Sequence, residues 1–125
     1  MGFEKMRVYQ AAERLRCIVD ELKPHLEPGH SRQFRHLDEA VDSILNNAAE
    51  GSDCIYPGKK IEFFDIAKNS ANEAGNVLRS LGKRKAFGNH STLDGVTLAF
   101  TIRKMFQSLI NHLQRSEAAI GKRRR

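Results

Sequence analysis

Features that would identify a membrane-spanning or disulfide-bonded protein are missing from this sequence. It has no tryptophan, three prolines and two cysteines, and its longest uninterrupted apolar stretch is only a few residues. A membrane-spanning helix needs about 20 consecutive apolar residues, so none is expected here. Cys17 and Cys54 are too few for a secreted disulfide scaffold, and residues 1–7 lack the apolar core of a signal peptide. The sequence therefore predicts a cytoplasmic protein without a membrane partner.

The motifs that usually carry catalysis or bind a cofactor are absent as well. No glycine-rich phosphate loop, nucleophile elbow or zinc-ligand spacing occurs. A di-iron helical bundle needs Glu-x-x-His on two helices, and this pattern does not occur either. His25, His30 and His36 surround a predicted turn, where we interpret them as surface histidines. No metal, cofactor or catalytic residue is predicted.

What the chain does contain is enough apolar material for one core. Its 125 residues are 40% apolar and 29% charged, the mixture of an ordinary globular domain. A chain of this length buries close to two thirds of its unfolded surface and needs no disulfide or metal to fold. We expect a single domain over residues 1–118, followed by a basic tail over 119–125.

Four stretches place apolar residues at steps of three and four, the spacing of one helical face. They predict helices over about 3–23, 31–51, 59–81 and 91–116. No segment alternates apolar and polar residues over the length of a strand. Because the connections are short, consecutive helices should run antiparallel. The predicted fold is all-α, an up-down-up-down antiparallel four-helix bundle.

Local signals suggest where these helices begin and end. Ser31 is a reasonable N-cap for the second helix, and Ser91 begins a sequence that approximates a capping box for the fourth. Gly51 and Gly82 are placed to close the second and third helices, because glycine tolerates the left-handed residue that ends many helices. The stretch 83–92 is predicted to be a loop.

The third helix has a wider apolar face than one core requires. At about 100° per residue, its apolar arc is about 160° wide, whereas covering one core takes little more than about 100°. Either the fourth helix covers the surplus or a second copy of the chain does, and we favour the copy because small residues in this helix would admit another backbone. The predicted subunit interface comprises Phe63, Ile66, Ser70, Glu73 and Val77.

The positive charge of the chain is concentrated in two places. The formal net charge is +6, and the last four residues carry four positive charges. Clustered lysine and arginine attract polyanions by electrostatics that do not depend on sequence. The predicted nucleic-acid contacts are Lys83, Arg84, Lys85, Lys122, Arg123, Arg124 and Arg125. The alternative interpretation is that these charges only keep the protein soluble.

Three segments carry a resemblance to a known family: Phe3-Glu4-x-Met6-x-Val8-Tyr9-Gln10-x-Ala12, Asn47-Ala48-Ala49-Glu50-Gly51, and Glu62-Phe63-Phe64-x-Ile66-Ala67-x-x-Ser70-Ala71-x-Glu73. Over about residues 3–113 the chain resembles the bacterial four-helix-bundle proteins encoded in intervening sequences of 23S ribosomal RNA genes. One departure is Ala48, where a bulkier aliphatic residue is common. The family motif maps onto Asn47, Glu50, Gly51, Ser70 and Glu73, and the resemblance implies no role for these residues.

The resemblance also implies an assembly and a class of partner. Family members form homo-oligomers, with the pentamer as the recurring assembly, and no enzymatic activity is established for the ribosomal-RNA branch. The related accessory variability determinant of diversity-generating retroelements is a basic pentameric barrel associated with nucleic acid and a reverse transcriptase. For this chain the resemblance adds an expectation of self-association to the electrostatic argument for RNA or DNA.

Three functions are thus compared. The favoured one is a non-enzymatic homopentameric protein that binds RNA or DNA through clustered basic residues. The alternative is a structural or protein-interaction scaffold with no nucleic-acid role. The third is a ribonuclease in which Arg84 holds a phosphate and His90 performs acid–base chemistry. We disfavour the ribonuclease because both residues lie in a predicted loop, with Gly88 between them, rather than on one rigid helical end.

Overall fold

Four α-helices make up nearly all of the computed structural model, which describes the backbone of residues 3–124 and the side chains of residue 5 and residues 7–121. The helices are α1 (Phe3–Leu22), α2 (Ser31–Asp53), α3 (Pro57–Lys83) and α4 (Leu93–Arg124), with a short 3-10 turn at Lys23–His25. Each helix packs against its neighbours in sequence, and α1 also packs against α4, which closes the ring. No strand occurs within residues 3–124. The predicted all-α four-helix bundle is confirmed.

Paired contacts show how neighbouring helices run. From one end of α2 to the other, Gln33 forms a hydrogen bond with Ser80, Ser43 forms one with Ser70, and Gly51 lies close to Phe64. The residue number on α3 falls as that on α2 rises, so the two helices are antiparallel. Between α3 and α4 the contacts follow the same order, with Asn72 bonding Arg103 and Lys68 bonding Gln107.

The predicted helical faces supply most of the core. Its buried apolar side chains include Val8, Ala12, Leu15, Val19 and Leu22 of α1; Phe34, Leu37, Val41, Ile44 and Ala48 of α2; Phe64, Ala67, Ala71, Ala74, Leu78 and Leu81 of α3; and Ala99, Ile102, Phe106, Leu109 and Ile110 of α4. Burying side chains of this kind stabilises the fold by about 25 cal/mol for each Å² of apolar surface removed from water.

A polar cluster joins α1 to α2 on the outside of this core. The Arg16 guanidinium donates to Asp20 at 2.8 Å, to Asp42 at 3.0 Å and to Asp38. Although partial burial acts to lower the pKa of Arg16, its hydrogen bonds to Asp38 and Asp20 and the charges of both raise it overall. This arginine is therefore already neutralised within the chain.

The small residues of α3 pack against other helices of the same chain. This corrects the expectation that they allow the backbone of a second chain to approach. Ala67, Ala71 and Ala74 are fully buried in the core. A Cβ added to Gly75 would lie 2.8 Å from the Phe100 ring, because α4 approaches α3 closely there. These residues thus bring α3 close to the helices on either side of it.

Gly51 does not end α2, as the sequence suggested. The helix continues to Asp53, and Gly51 is buried within it. A Cβ on Gly51 would lie 2.5 Å from Cε1 of Phe64 and 3.2 Å from Cβ of Phe63. The glycine is therefore required by the close approach of α3, a contact that no local pattern reveals.

The end of α3 also differs from the prediction. Gly82 lies inside the helix, and the left-handed position is occupied by Lys85, with φ of 54°. The Lys85 N–H donates to the carbonyl of Gly82 at 3.0 Å, and the Ala86 N–H donates to that of Leu81 at 2.9 Å. These two bonds form a Schellman motif, which satisfies the last carbonyl groups of the helix.

The predicted loop 83–92 contributes to the core. Ala86 and Phe87 are buried, and the Phe87 ring meets that of Phe34 edge-on at 6.0 Å between centroids. The Glu27 N–H donates to the Ala86 carbonyl at 2.8 Å, which joins the α1–α2 connection to the α3–α4 turn. This stretch closes one end of the bundle.

The fourth helix is longer than expected. It extends to Arg124 rather than ending near Ser116, so most of the predicted tail 119–125 is helical, with Arg125 outside the described residues. Glu117, Ala118 and Ala119 favour helix, and no proline interrupts the segment. Side chains 114–121 are all exposed, so this extension packs against no other helix. Within residues 3–124, no helix has the length and apolarity that crossing a bilayer requires.

Candidate functional site

The basic cluster predicted from sequence lies where α3 ends. Lys83 is the last residue of α3, and Arg84 and Lys85 follow in the turn. All three side chains are exposed. None of them makes a side-chain hydrogen bond or ion pair with another described residue. Their charges are therefore available to a partner, in contrast to the charge of Arg16.

Two concave surfaces flank this cluster and add further basic residues. Arg79, Lys83, Lys85 and His90 line one of about 600 Å³. The other, of about 420 Å³, is lined by Gly29, Arg32, Gln33, His36 and Arg84. No acidic residue is among the described side chains that line either surface. We call Arg32, His36, Arg79, Lys83, Arg84 and Lys85 the basic end.

Side-chain contacts hold parts of the basic end in place. Gln33 Nε2 donates to Ser80 Oγ at 2.9 Å, which ties the first turn of α2 to the last turns of α3. The Arg79 guanidinium lies over the Phe100 ring, 4.9 Å from its centroid. Arg32, His36 and Arg79 were not predicted as contacts. Folding brings Arg32 and His36 beside Arg84, whereas Arg79 lies one helical turn before Lys83 on α3. Two signals were available in the sequence: the spacing of four residues between Arg32 and His36, and the same spacing between Arg79 and Lys83.

The second predicted cluster lies at the opposite end of the molecule. Residue 122 is separated from residue 93 by 29 residues of continuous helix, about 43 Å at 1.5 Å per residue. The side chains of Lys122, Arg123 and Arg124, and the whole of Arg125, lie outside the described residues. The two clusters therefore do not form one patch within a single chain.

The two residues of the ribonuclease hypothesis face different surroundings. Arg84 lines the concave surface beside Arg32, whereas His90 lines the one beside Lys83. The His90 ring stacks on that of His25, with centroids 3.7 Å apart and an interplanar angle of 26°. No shared concave surface places Arg84 and His90 against one phosphate group in the described residues.

The predicted subunit interface is only partly covered by its own chain. Ile66 is 47% exposed and Glu73 is exposed, whereas Phe63 and Val77 are half-buried. Ser70 is buried, and its hydroxyl lies 2.7 Å from that of Ser43 on α2. Apolar surface therefore remains in contact with water at Ile66 and beside it.

The motif residues divide into two groups. Asn47 Nδ2 donates to the carbonyl and the hydroxyl of Ser43, at 2.9 and 3.2 Å, and Ser43 in turn bonds Ser70. Together with Gly51, these residues fit α2 against α3. Glu50 and Glu73 are exposed, with no ion pair in the part of the chain that the structure describes. The two carboxylates are the members of the motif that a partner could reach.

Lys60 is a buried cation that the sequence did not reveal. Its Nζ donates to the carbonyl oxygens of Gly51 at 2.8 Å and Ser52 at 3.3 Å, near the end of α2. Burial, followed by the nearby ammonium of Lys5, lowers the pKa of Lys60 from 10.5 to about 8. Lys60 thus stabilises carbonyl groups that have no partner within the helix, at the cost of removing a charge from water.

Neither a metal-binding cluster among the described residues nor similarity to a known protein indicates the function. Among the described residues, no group of three or more histidine, cysteine, aspartate or glutamate side chains could hold a metal ion. Comparison with protein-family models, curated proteins and solved structures gives no match to this chain.

Proposed function

We propose that this protein binds RNA or DNA through its basic end and does so without catalysing a reaction. The observation that carries the proposal is the convergence of Arg32, Arg79, Lys83, Arg84 and Lys85 around two concave surfaces that no described carboxylate lines. Phosphate oxygens are the groups that such lysine and arginine side chains bind best. The resemblance adds support through a related branch, since the accessory variability determinant is a basic protein associated with nucleic acid.

Binding of this kind depends on phosphates rather than bases. No phenylalanine, tyrosine or tryptophan lies among the described residues that line the two surfaces, so the large aromatic platforms on which bases stack are missing there. Each phosphate that is neutralised releases counterions, and the logarithm of affinity falls with the logarithm of salt by about 0.9 per contact on duplex DNA. We expect steep salt dependence and little sequence preference.

A matched pair of double variants tests the proposal. Lys83→Gln/Arg84→Gln removes two charges from the basic end, and Arg14→Gln/Lys104→Gln removes two exposed charges elsewhere. Affinity for a labelled DNA duplex is measured from 50 to 300 mM salt. The slope of the logarithm of affinity against the logarithm of salt should become shallower by about two units only in the first variant. Equal losses in both variants, or no retention of the parent at low ionic strength, would contradict the proposal.

We further propose that the protein assembles with copies of itself through α3, as a homopentamer. The supporting observation is the exposure of Ile66 beside half-buried Phe63, with half-buried Val77 about three turns further along the same side of α3, since apolar surface of this kind marks association sites. Ile66→Lys should reduce the native mass to that of the 14.2 kDa chain, whereas Leu93→Lys, at an exposed site on α4, should leave the mass unchanged. A parent that is monomeric at micromolar concentration refutes the assembly.

The same measurements separate the alternative functions. An assembly that persists without retaining nucleic acid would identify a structural or protein-interaction scaffold. For the ribonuclease, the parent and His90→Ala should degrade RNA at the same background rate, because Arg84 and His90 line different concave surfaces. A slower rate in His90→Ala would indicate an enzyme instead.

A further inference from the structure

A groove between α1 and α4 lies at the far end of the bundle from the basic end. Its volume is about 330 Å³, and its lining residues are Arg7, Met105, Ser108, Leu109, His112 and Arg115. Pockets that hold small organic molecules begin at about 300 Å³. The groove is therefore large enough for a small ligand, and it shares no residue with the basic end.

The periodicity of α4 explains why these side chains meet. Residues 105, 108, 109, 112 and 115 follow one another at steps of three and one, which places them along one side of the helix. Leu109 is buried and Met105 half-buried, so they form an apolar floor. Ser108, His112 and Arg115 are exposed along the rim, and Arg7 of α1 lies at the groove with them.

The polar groups of the groove share one preference. Two guanidinium groups, an imidazole and a hydroxyl can all donate hydrogen bonds to an anion, and none of the described lining residues is acidic. The side chains of His112 and Arg115 have no hydrogen bond or ion pair elsewhere within residues 7–121. These donors, with the positive charge of Arg115, suit the oxygens of a phosphate monoester.

We propose that this groove binds a small phosphate monoester. The Arg115 and Arg7 guanidinium groups donate to the phosphate oxygens, because the planar fork of arginine matches that geometry. His112 and Ser108 supply further donors beside them. The esterified organic group lies on Met105 and Leu109, where it removes apolar surface from water. The apolar floor distinguishes this ligand from a bare inorganic ion.

Titration calorimetry with three probes tests the site, and backbone amide NMR locates it. The probes are adenosine 5′-monophosphate, glycerol 3-phosphate and inorganic phosphate. The nucleotide should bind most tightly, and its amide shifts should centre on residues 105–115. Arg115→Gln should weaken nucleotide binding about tenfold, the effect of losing one charge-assisted contact. Lys104→Gln, an exposed cation on α4 outside the groove, should change it less than twofold.

A third variant tests the floor separately from the charge. Met105→Gln should weaken binding of the nucleotide severalfold and leave that of inorganic phosphate unchanged. The proposal is overturned if no probe binds at 10 mM, if Arg115→Gln and Lys104→Gln weaken binding equally, or if the shifts centre on residues 79–90. The last two results would mean diffuse attraction or binding at the basic end.

Discussion

At the scale of single residues, the left-handed position that ends α3 is occupied by a side chain that is poorly suited to it. Lys85 has φ of 54°, whereas the same position in most Schellman motifs is glycine. A left-handed conformation costs a residue with a Cβ about 1 kcal/mol. Its charge lies beside those of Lys83 and Arg84 at the basic end.

Lys85→Gly should therefore stabilise the fold. Removing the Cβ relieves the left-handed strain, partly offset by the greater freedom of glycine in the unfolded chain, so we expect a gain of about 0.5–1 kcal/mol. Chemical denaturation measures this gain as a change in the free energy of unfolding. Lys83→Gly, within α3 at ordinary helical angles, is the control and should instead lose about 1 kcal/mol. A loss of stability in Lys85→Gly would show that its side chain holds the turn.

Lys60 should make stability depend on pH in the alkaline range. Its pKa is about 8 in the folded chain and 10.5 ordinarily, so between these values the unfolded chain binds a proton that the folded chain does not. The free energy of unfolding should therefore rise as pH increases from about 8 to 10.5. Relative to Lys60→Met, the parent should gain on the order of 1 kcal/mol between pH 7.5 and pH 10.

The neighbour of Lys60 provides the control. Lys5→Gln removes the nearby ammonium, which should raise the pKa of Lys60 and reduce the gain. An NMR titration of the Lys60 Cε follows the pKa directly. A difference between parent and Lys60→Met that does not change with pH would mean that Lys60 stays charged and solvated.

At the scale of helices, the close approach of α2 and α3 is permitted by one glycine. Gly51→Ala should destabilise the fold by about 1–3 kcal/mol, because the new Cβ would lie 2.5 Å from the Phe64 ring and overpack the core. Gly58→Ala, in the first turn of α3 with open space around it, should instead gain up to about 1 kcal/mol. Thermal unfolding distinguishes them, and a neutral Gly51→Ala would show that Phe64 can move aside.

The helices show which properties a sequence can predict. Periodic apolar residues located all four helices and most of the core, because burial of one face leaves a regular pattern. Gly51 was misassigned as a helix end, and the burial of Phe87 in its loop was not predicted, because their roles depend on Phe64 and Phe34, which are distant in sequence. Of the candidate site, the cluster at Lys83 was visible as a run of charge. Arg32 was not, because it joins the cluster only through packing, and Arg79 was overlooked although it lies four residues before Lys83.

At the scale of the whole molecule, the bundle ends before α4 does. Side chains 114–121 are exposed and bury nothing, so a chain that stops after Ser116 should keep its melting temperature within about 2 °C. Stopping after Gln107 instead removes the buried Leu109 and Ile110 and should destabilise the fold by several kcal/mol. If the first truncation lowers the melting temperature strongly, the extension contacts another molecule in solution.

The hydrogen bond from Glu27 to Ala86 makes the two ends of the bundle unequal. It joins the first helical hairpin to the second, so the two cannot separate at that end without exposing the Glu27 amide to solvent. The rate at which the Glu27 amide hydrogen exchanges with deuterium from the solvent therefore reports how often the two hairpins separate at this end. A partner that holds both connections together would slow this exchange even if it never touched Glu27.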